Sequence, residues 1–169
     1  MLQPINQEEA NRLRSFLLEA GYTEDNLRAR GVTELPSPQL RNLPMLADLT
    51  REPGCLNTLL RWFWLGESQE ASDVEQVVPP WLISLALGCG LLRHQSTSLV
   101  PQALLVHFDG FFIVSDHPRT IDQEDAGLVL WPNPTSRLLG RFAVRRAVEA
   151  TLDLGTGNGI LALGAASHS

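Results

Sequence analysis

The sequence predicts a mixed α+β fold, and two observations lead to that prediction. Helical stretches separated by Gly and Pro fill the first half and precede two short β-rich runs around Asp109-Gly110. Near the end, an apolar run at Thr151–Leu154 meets alternate glycines and an Ala/Leu-rich stretch, which indicates strand, tight turn and helix. A chain of 169 residues suits one domain or two small ones. We therefore expect a helical domain at 1–120 and an α/β segment at 121–169.

The helices of the first domain are predicted from caps and periodicity. Asn6 and Glu9 have the spacing of a capping box, and Gly21 ends the helix that they begin. A second helix is predicted at Glu24–Arg30, and Gly31 is its end signal. Further helices are predicted from Ser37-Pro38 to Pro44, at Cys55–Leu65, at Asp73–Val78 with Ser72 as the cap, and at Trp81–Leu87.

The stretch Cys55–Leu65 is apolar nearly all round, which predicts a helix buried on several sides. Its aromatic side chains, Trp62, Phe63 and Trp64, invite a base-stacking interpretation. Adjacent helical residues point about 100° apart, however, so these rings do not form one flat surface. We expect them in the core.

The strands come next. We predict a short strand at Leu91-Leu92, a longer one at Leu99–Phe108 that Pro101 places at a sheet edge, and a hairpin return at Phe111–Ser115. Three helices, a strand and a hairpin resemble the order of a winged helix. The third helix of that order, Pro80–Leu87, has no Lys, Arg, Asn or Gln to read bases. Residues 51–120 also hold only four Arg against seven acidic groups, which disfavours contact with phosphates. We therefore expect a structural or protein-contact module that binds no DNA.

Composition excludes several classes of protein. The net charge of −6 argues against a general nucleic-acid coat and leaves a local basic patch open. No apolar run of about 18 residues predicts a membrane span, and no signal-peptide pattern begins the chain, so we expect a cytoplasmic protein.

Cysteine and histidine suggest no metal site. Cys55 and Cys89 are far apart, and His94 and His107 lack ligand spacing, so we expect free thiols and no bound metal. Ser115-Asp116-His117 is interpreted as a turn, because the residues of a catalytic triad are rarely neighbours in sequence.

A linker or surface loop is predicted at 121–127, then a short apolar run at 128–131 and a helix at Ser136–Val148. Arg137, Arg141 and Arg145 recur every four residues along this helix. The stripe is interpreted either as a solvated face or as a phosphate contact for an RNA substrate.

The glycine turn has the pattern D-x-G-x-G-x-G from Asp153 to Gly159. A P-loop needs Lys, which the chain lacks, and a dinucleotide fingerprint needs a third glycine where Ile160 stands. Asp153 would repel a pyrophosphate and suits a cationic amine. S-adenosylmethionine (SAM) carries such an amine and no phosphate.

The run from Asp153 to Gly159 resembles motif I of class I SAM-dependent methyltransferases. The continuation Ile160–Leu163 is similar to the branch that methylates release-factor glutamine or the amino groups of rRNA guanine or adenine. The resemblance implies the first strand and helix of a Rossmann-like methyltransferase domain. It implies cofactor contacts from Asp153, Gly155, Thr156, Gly157, Asn158 and Gly159. In these enzymes a proline-containing loop and helix cover the cofactor, which adds Thr135.

The resemblance implies that the chain is the N-terminal part of a SAM-dependent enzyme that methylates a nitrogen of RNA or protein. The ribose-binding acid and the Asn-Pro-Pro-Tyr-type motif are expected beyond Ser169, so no catalytic residue is assigned and the fragment alone is expected to be inactive. The alternative is a non-enzymatic module that docks to protein or RNA.

Overall fold

Helices and short antiparallel strands make up the fold, which confirms the α+β prediction. The computed structural model describes residues 2–30, 43–117, 127–143 and 146–167. The helices described are α1 (Gln7–Glu19), α2 (Glu24–Ala29), α3 (Leu43–Leu49), α4 (Cys55–Phe63), α5 (Ala71–Val74), α6 (Pro80–Gly88), α7 (Pro134–Phe142) and α8 (Ile160–Ala166). The strands described are β1 (Gln69–Glu70), β2 (Leu92–Gln95), β3 (Ser98–Pro101), β4 (Leu104–Phe108) and β5 (Phe111–Ser115).

The capping box predicted for the first helix is confirmed. In α1 the Asn6 side chain accepts from the Glu9 N–H at 2.9 Å, and the Glu9 carboxylate accepts from the Asn6 N–H at 3.0 Å. Helix α2 begins behind Thr23, whose hydroxyl accepts from the Asn26 N–H. Gly21, between the two helices, has a φ of +77°. These local interactions set the angle between the two helices.

The strands form two small sheets. In the first sheet β3 lies between β1 and β2, and all neighbours are antiparallel. The second sheet is the β4–β5 hairpin, whose turn residues Asp109 and Gly110 have φ of +50° and +85°. Two central residues with positive φ match the twist of the flanking strands, and Asp-Gly is a preferred pair for such a turn. The predicted hairpin is confirmed.

The single strand predicted at Leu99–Phe108 is wrong. The chain divides it into β3 and β4, which belong to different sheets. Pro101 ends β3, because proline offers no N–H to continue the ladder. The edge assignment is also wrong, since β3 is the central strand. Pro101 is tolerated there because it pairs only with Leu92, whereas β1 reaches only Leu99 and Ser98.

Three helix boundaries differ from the prediction. Helix α5 begins at Ala71 rather than behind Ser72, and its cap position, Glu70, uses its carboxylate to accept from the Ser98 hydroxyl at 2.6 Å. Pro44 was expected to end or kink a helix, but it lies in the first turn of α3, where a missing N–H costs no intrahelical bond. The helix predicted at Ser136–Val148 is α7, and it begins at Pro134 and ends at Phe142.

Some predictions lie outside the described residues. They are the start of the helix at Ser37-Pro38, the end signal at Gly31, the linker at 121–126 and the third arginine of the stripe, Arg145.

Aromatic residues of α4 and its C-terminal end form the centre of the core, as predicted. Trp62, Phe63 and Trp64 are buried, and they join leucines of α1, α2, β3 and β4 in one cluster. Tyr22 is also fully buried, and its hydroxyl donates to the Leu105 carbonyl oxygen at 2.6 Å. Burial raises the pKa of this hydroxyl well above its ordinary value, so Tyr22 acts as a neutral donor that ties the α1–α2 turn to β4.

We call residues 2–30 and 43–117 the N-terminal body, and residues 127–143 and 146–167 the C-terminal segment. The body contains α1–α6 and both sheets, and the segment contains α7 and α8. The two parts touch. Ile160 of α8 is buried within the core cluster, and Asp116 and Val129 exchange hydrogen bonds across the gap in the described chain.

Candidate functional site

The glycine turn has the backbone that its sequence predicts. Gly155, Gly157 and Gly159 have φ of +75°, +55° and +80°, in the left-handed region that side chains rarely adopt. A Cβ at Gly155 would meet nothing within 4 Å, and one at Gly157 would meet only the Gly155 carbonyl oxygen at 3.9 Å. Backbone conformation, rather than crowding by the protein, therefore requires glycine here. The surface above the turn is open.

Thr156 and Asn158 hold the turn together. The Thr156 hydroxyl donates to the Asp153 carbonyl oxygen at 3.0 Å. The Asn158 amide donates to the Leu130 carbonyl oxygen at 2.8 Å, and its oxygen accepts from the Ile160 N–H at 3.1 Å. The Asn158 side chain thus begins α8 and joins the turn to the chain before α7. Its donor and its acceptor are both used inside the protein.

One carboxylate oxygen of Asp153 accepts no hydrogen bond from the described residues. This oxygen, Oδ2, is shielded from solvent. A shielded carboxylate oxygen without a donor is unfavourable, and native structures rarely leave one unpaired. The donor chemistry that fits this oxygen is an ammonium or another N–H group. The residues present therefore fit the amine of an amino-acid moiety such as that of SAM.

The strand predicted at Thr151–Leu154 is wrong for the chain that the structure describes. These residues join no sheet, and the side chains of Leu152 and Leu154 are 81% and 83% exposed. A parallel strand is stable when neighbouring strands and covering helices bury both of its faces. None of the described segments pairs with Thr151–Leu154. The helix predicted after the turn is confirmed as α8.

A cleft of about 780 Å³ lies between the N-terminal body and the C-terminal segment. The body contributes residues of α2 and the hairpin turn, including Glu24 and Asp109. The segment contributes one face of α7, one face of α8 and the chain that precedes the glycine turn, including Asp153. The three glycines do not line this cleft. Asp153 therefore stands at the border between the cleft and the glycine turn.

A charged cluster crosses the cleft. The Glu24 carboxylate accepts from Arg28 at 2.8 Å and from Arg137, and the Arg137 guanidinium also lies 4.8 Å from the centre of the Phe108 ring. The Glu24 N–H donates to Nδ1 of His107 at 3.3 Å. Burial is the largest effect on His107 and lowers its pKa, while Glu24 and Asp25 act in the opposite direction. The cluster joins α7 to α2 and the hairpin.

Two arginines of the α7 stripe, Arg137 and Arg141, have different environments. Arg137 is neither a solvated residue nor a free phosphate contact, because it pairs with Glu24. Arg141 is exposed and has no ion pair within the described chain. Thr135 is exposed in the first turn of α7, where its N–H donates to the Asn133 side chain at 2.9 Å. No hydrogen bond joins Thr135 to the described glycine turn.

Ser115, Asp116 and His117 do not form a triad. The Asp116 carboxylate accepts from the Val129 N–H at 2.6 Å, and the buried His117 ring has its Nε2 3.1 Å from the Trp64 carbonyl oxygen. The Ser115 hydroxyl is buried, with no hydrogen-bond partner in the described part of the chain. Asp116 and His117 therefore connect segments of the fold.

The described ranges contain no group of three or more His, Cys, Asp or Glu side chains that could hold a metal ion. In the same ranges, no helix is long and apolar enough to cross a membrane. Cys55 and Cys89 are both free thiols, and burial raises the pKa of Cys55.

Comparisons of the chain with protein-family models, with curated proteins and with solved structures gave no match.

Sequence reasoning did not find the Glu24–Arg137 contact or the cleft that it crosses. The two residues are 113 positions apart, and neither belongs to a motif. Arg28 four residues after Glu24 is an ordinary helical pair, so nothing in the local pattern shows that the same carboxylate has a second, distant partner.

Proposed function

We propose that this chain is the N-terminal part of a class I SAM-dependent methyltransferase that methylates a nitrogen of RNA or protein. The observation that carries the proposal is the D-x-G-x-G-x-G turn, with positive φ at all three glycines and an unpaired carboxylate oxygen on Asp153. A winged-helix-like body and the first helix of a Rossmann-like domain belong to the same proposal. The body serves as a docking or structural part and binds no DNA.

When bound, SAM would supply an electrophilic methyl group that passes to a nitrogen nucleophile in line with the breaking C–S bond, while the neutral thioether leaves. The chain's own residues bind and orient the methyl donor. Asp153 accepts hydrogen bonds from the donor's ammonium group, directly or through water. Gly155, Gly157 and Gly159 let the donor approach the backbone, because no Cβ stands above them. Holding donor and acceptor in line supplies much of the rate of such a transfer.

The parts around the turn have supporting roles. Thr156 and Asn158 fix its shape through their hydrogen bonds to Asp153, Leu130 and Ile160. Thr135, in the first turn of α7, is assigned to the cover over the donor. The acceptor-binding and proton-accepting groups are assigned to sequence that follows Ser169. Reading the gene past Ser169 for an acidic strand end and an Asn/Asp-Pro-Pro-aromatic motif tests this assignment.

The second candidate is a non-enzymatic module that docks to a protein or RNA. Its support is the exposed apolar face of α7, where Leu138, Leu139 and Phe142 are 53%, 53% and 78% exposed. A module of this kind needs no methyl donor. Binding of SAM to the glycine turn therefore separates the two candidates.

Gly157→Val in the methyltransferase is expected to lower SAM affinity by about two decades or more. Valine is poorly suited to a φ of +55°, and its methyl groups would fill the open surface above the turn. Strain of about 1–3 kcal/mol and lost contacts together account for the loss, at about tenfold for each 1.4 kcal/mol. Calorimetric titration with SAM measures the effect.

Gly54→Val is the matched control, because Gly54 has an extended φ of 164° and a Cβ there would meet nothing within 4 Å. Its SAM affinity should equal that of the wild type. Equal affinities for the wild type and Gly157→Val would remove the main support for a methyltransferase.

A further inference from the structure

The cleft between the N-terminal body and the C-terminal segment is a second concave surface, separate from the glycine turn. Its volume of about 780 Å³ lies in the range of small-molecule sites, roughly 300–1,000 Å³. Gly155, Gly157 and Gly159 lie outside its lining, so a ligand here would occupy different space from one that rests on the turn. The two sites share only the border residue Asp153.

The cleft is positively charged, although the protein as a whole is acidic. Its lining has four arginines and three carboxylates, a difference of +1, whereas the complete chain has a net charge of −6. Arg28 and Arg137 share the single carboxylate of Glu24. Arg141 and Arg146 line the same cleft, and their guanidinium groups make no ion pair or hydrogen bond with the described chain. Two unpaired guanidinium groups are therefore available to an anion.

Arginine suits a phosphate particularly well. Its planar fork of N–H groups binds two oxygens at once, and bonds between two charged groups are shorter and stronger than neutral ones. Arg141 and Arg146 are both exposed, so they can turn toward a phosphate without breaking an existing contact. The ion pairs of Glu24 with Arg28 and Arg137 join α2 to α7 across the cleft.

The rest of the lining fits the body of a nucleotide. Leu139 of α7 and Ile160 and Leu161 of α8 give an apolar wall against which a flat base can pack. Asp109 and Asp153 add carboxylates that can accept hydrogen bonds from sugar hydroxyls or a base amino group. One ligand can use the cationic, apolar and acidic parts together.

We propose that this cleft binds a nucleotide monophosphate group, with the phosphate held by Arg141 and Arg146 and the nucleoside against the wall formed by α7 and α8. The source of the group is either a free mononucleotide or the end of a short single strand. The site does not depend on the assignment of SAM to the glycine turn.

The test is calorimetric titration of the 169-residue chain with adenosine 5′-monophosphate at low salt. We expect saturable binding that is at least about tenfold weaker for adenosine, which lacks the phosphate. Arg141→Gln and Arg146→Gln should each weaken binding by about tenfold, the size of one lost charge-assisted contact. Arg93→Gln is the control, since Arg93 is exposed on β2 and lies outside the cleft lining. It should leave the affinity unchanged.

Thermal melting of each variant checks that a loss of binding is not a loss of folding. A short single-stranded RNA with a terminal phosphate, added as a competitor, separates the two sources. If the natural ligand is the end of a strand, this RNA should bind more tightly than the mononucleotide. The proposal is overturned if adenosine 5′-monophosphate does not bind at millimolar concentration. It is also overturned if a variant that carries both Arg141→Gln and Arg146→Gln binds the nucleotide as tightly as the wild type does.

Discussion

The N-terminal body closes its own core, whereas the C-terminal segment leaves its apolar side chains open. In the body, Trp62 and Trp64 are at most 2% exposed. In the segment, Phe142 is 78% exposed, and of its described apolar residues only Ile160 is buried with the core. Burial of apolar surface is the main source of stability. The body therefore supplies most of the stability of the fold, and the segment supplies the glycine turn and one side of the cleft.

We expect the largest difference between the two parts when an aromatic side chain is removed, because its loss lowers the free energy of unfolding far more in the body than in the segment. Trp62→Ala should lower the free energy of unfolding by about 3–5 kcal/mol, because it empties a fully buried site. Phe142→Ala, its matched control, should change that energy by no more than about 0.5 kcal/mol. Denaturant titration of both variants measures the difference, and similar losses would show that the segment is packed as closely as the body.

Replacing a glycine of positive φ by alanine should also cost more stability in the body than in the segment. Gly66 has a φ of +65°, and a Cβ there would lie 2.7 Å from the His117 ring. Gly66→Ala should therefore combine strain of about 1–3 kcal/mol with overpacking of about 1–3 kcal/mol. Gly155 has a φ of +75° with open space, so Gly155→Ala should cost the strain alone.

Denaturant titration compares these two glycine variants directly. Gly66→Ala should unfold at the lower denaturant concentration. The reverse order would mean that the turn before α8 is more tightly determined by its surroundings than the core of the body.

The smallest expected effect is a dependence of stability on pH at the junction between the body and the segment. His107 accepts a hydrogen bond from the Glu24 N–H, and burial holds its pKa in the folded chain below the ordinary histidine value of about 6.5. The unfolded chain thus binds a proton more readily than the folded chain. The stability contributed by neutral His107 is present above about pH 6.5 and declines as the pH falls through that value toward the lower folded pKa.

The variant His107→Gln isolates this contribution. Its amide can still accept from the Glu24 N–H, but it does not titrate. The difference in unfolding free energy between wild type and variant should change in favour of the variant as the pH falls from 7.5 to 5. A difference that stays constant over this range would contradict the account of His107.

Local signals in the sequence predicted much of the fold. The capping box at Asn6, the Asp109-Gly110 hairpin and the buried run around Trp62 depend on neighbours within a few residues, and all are confirmed. The strand prediction at Leu99–Phe108 failed because β-propensity does not show to which sheet each half belongs. The strand at Thr151–Leu154 failed because its stability depends on partners elsewhere.

The candidate site was predictable only in part. The glycine turn is a local motif, and its positive φ values follow from the residue type. The cleft depends on contacts between distant residues, such as Glu24 and Arg137, and no local pattern indicates them. The sequence also gave no sign that Arg137 differs from Arg141, because only tertiary packing separates the two.

The central claim is that the glycine turn binds SAM while the N-terminal body serves as a stable support. Hydrogen exchange of backbone amides, measured on the protein with and without SAM, tests it most directly. Without SAM, amides of α4 and the β4–β5 hairpin should exchange slowly, and those of residues 153–159 should exchange fast. Added SAM should slow exchange at 153–159 and leave α4 unchanged. Unaltered exchange at 153–159 with saturating SAM would contradict the claim.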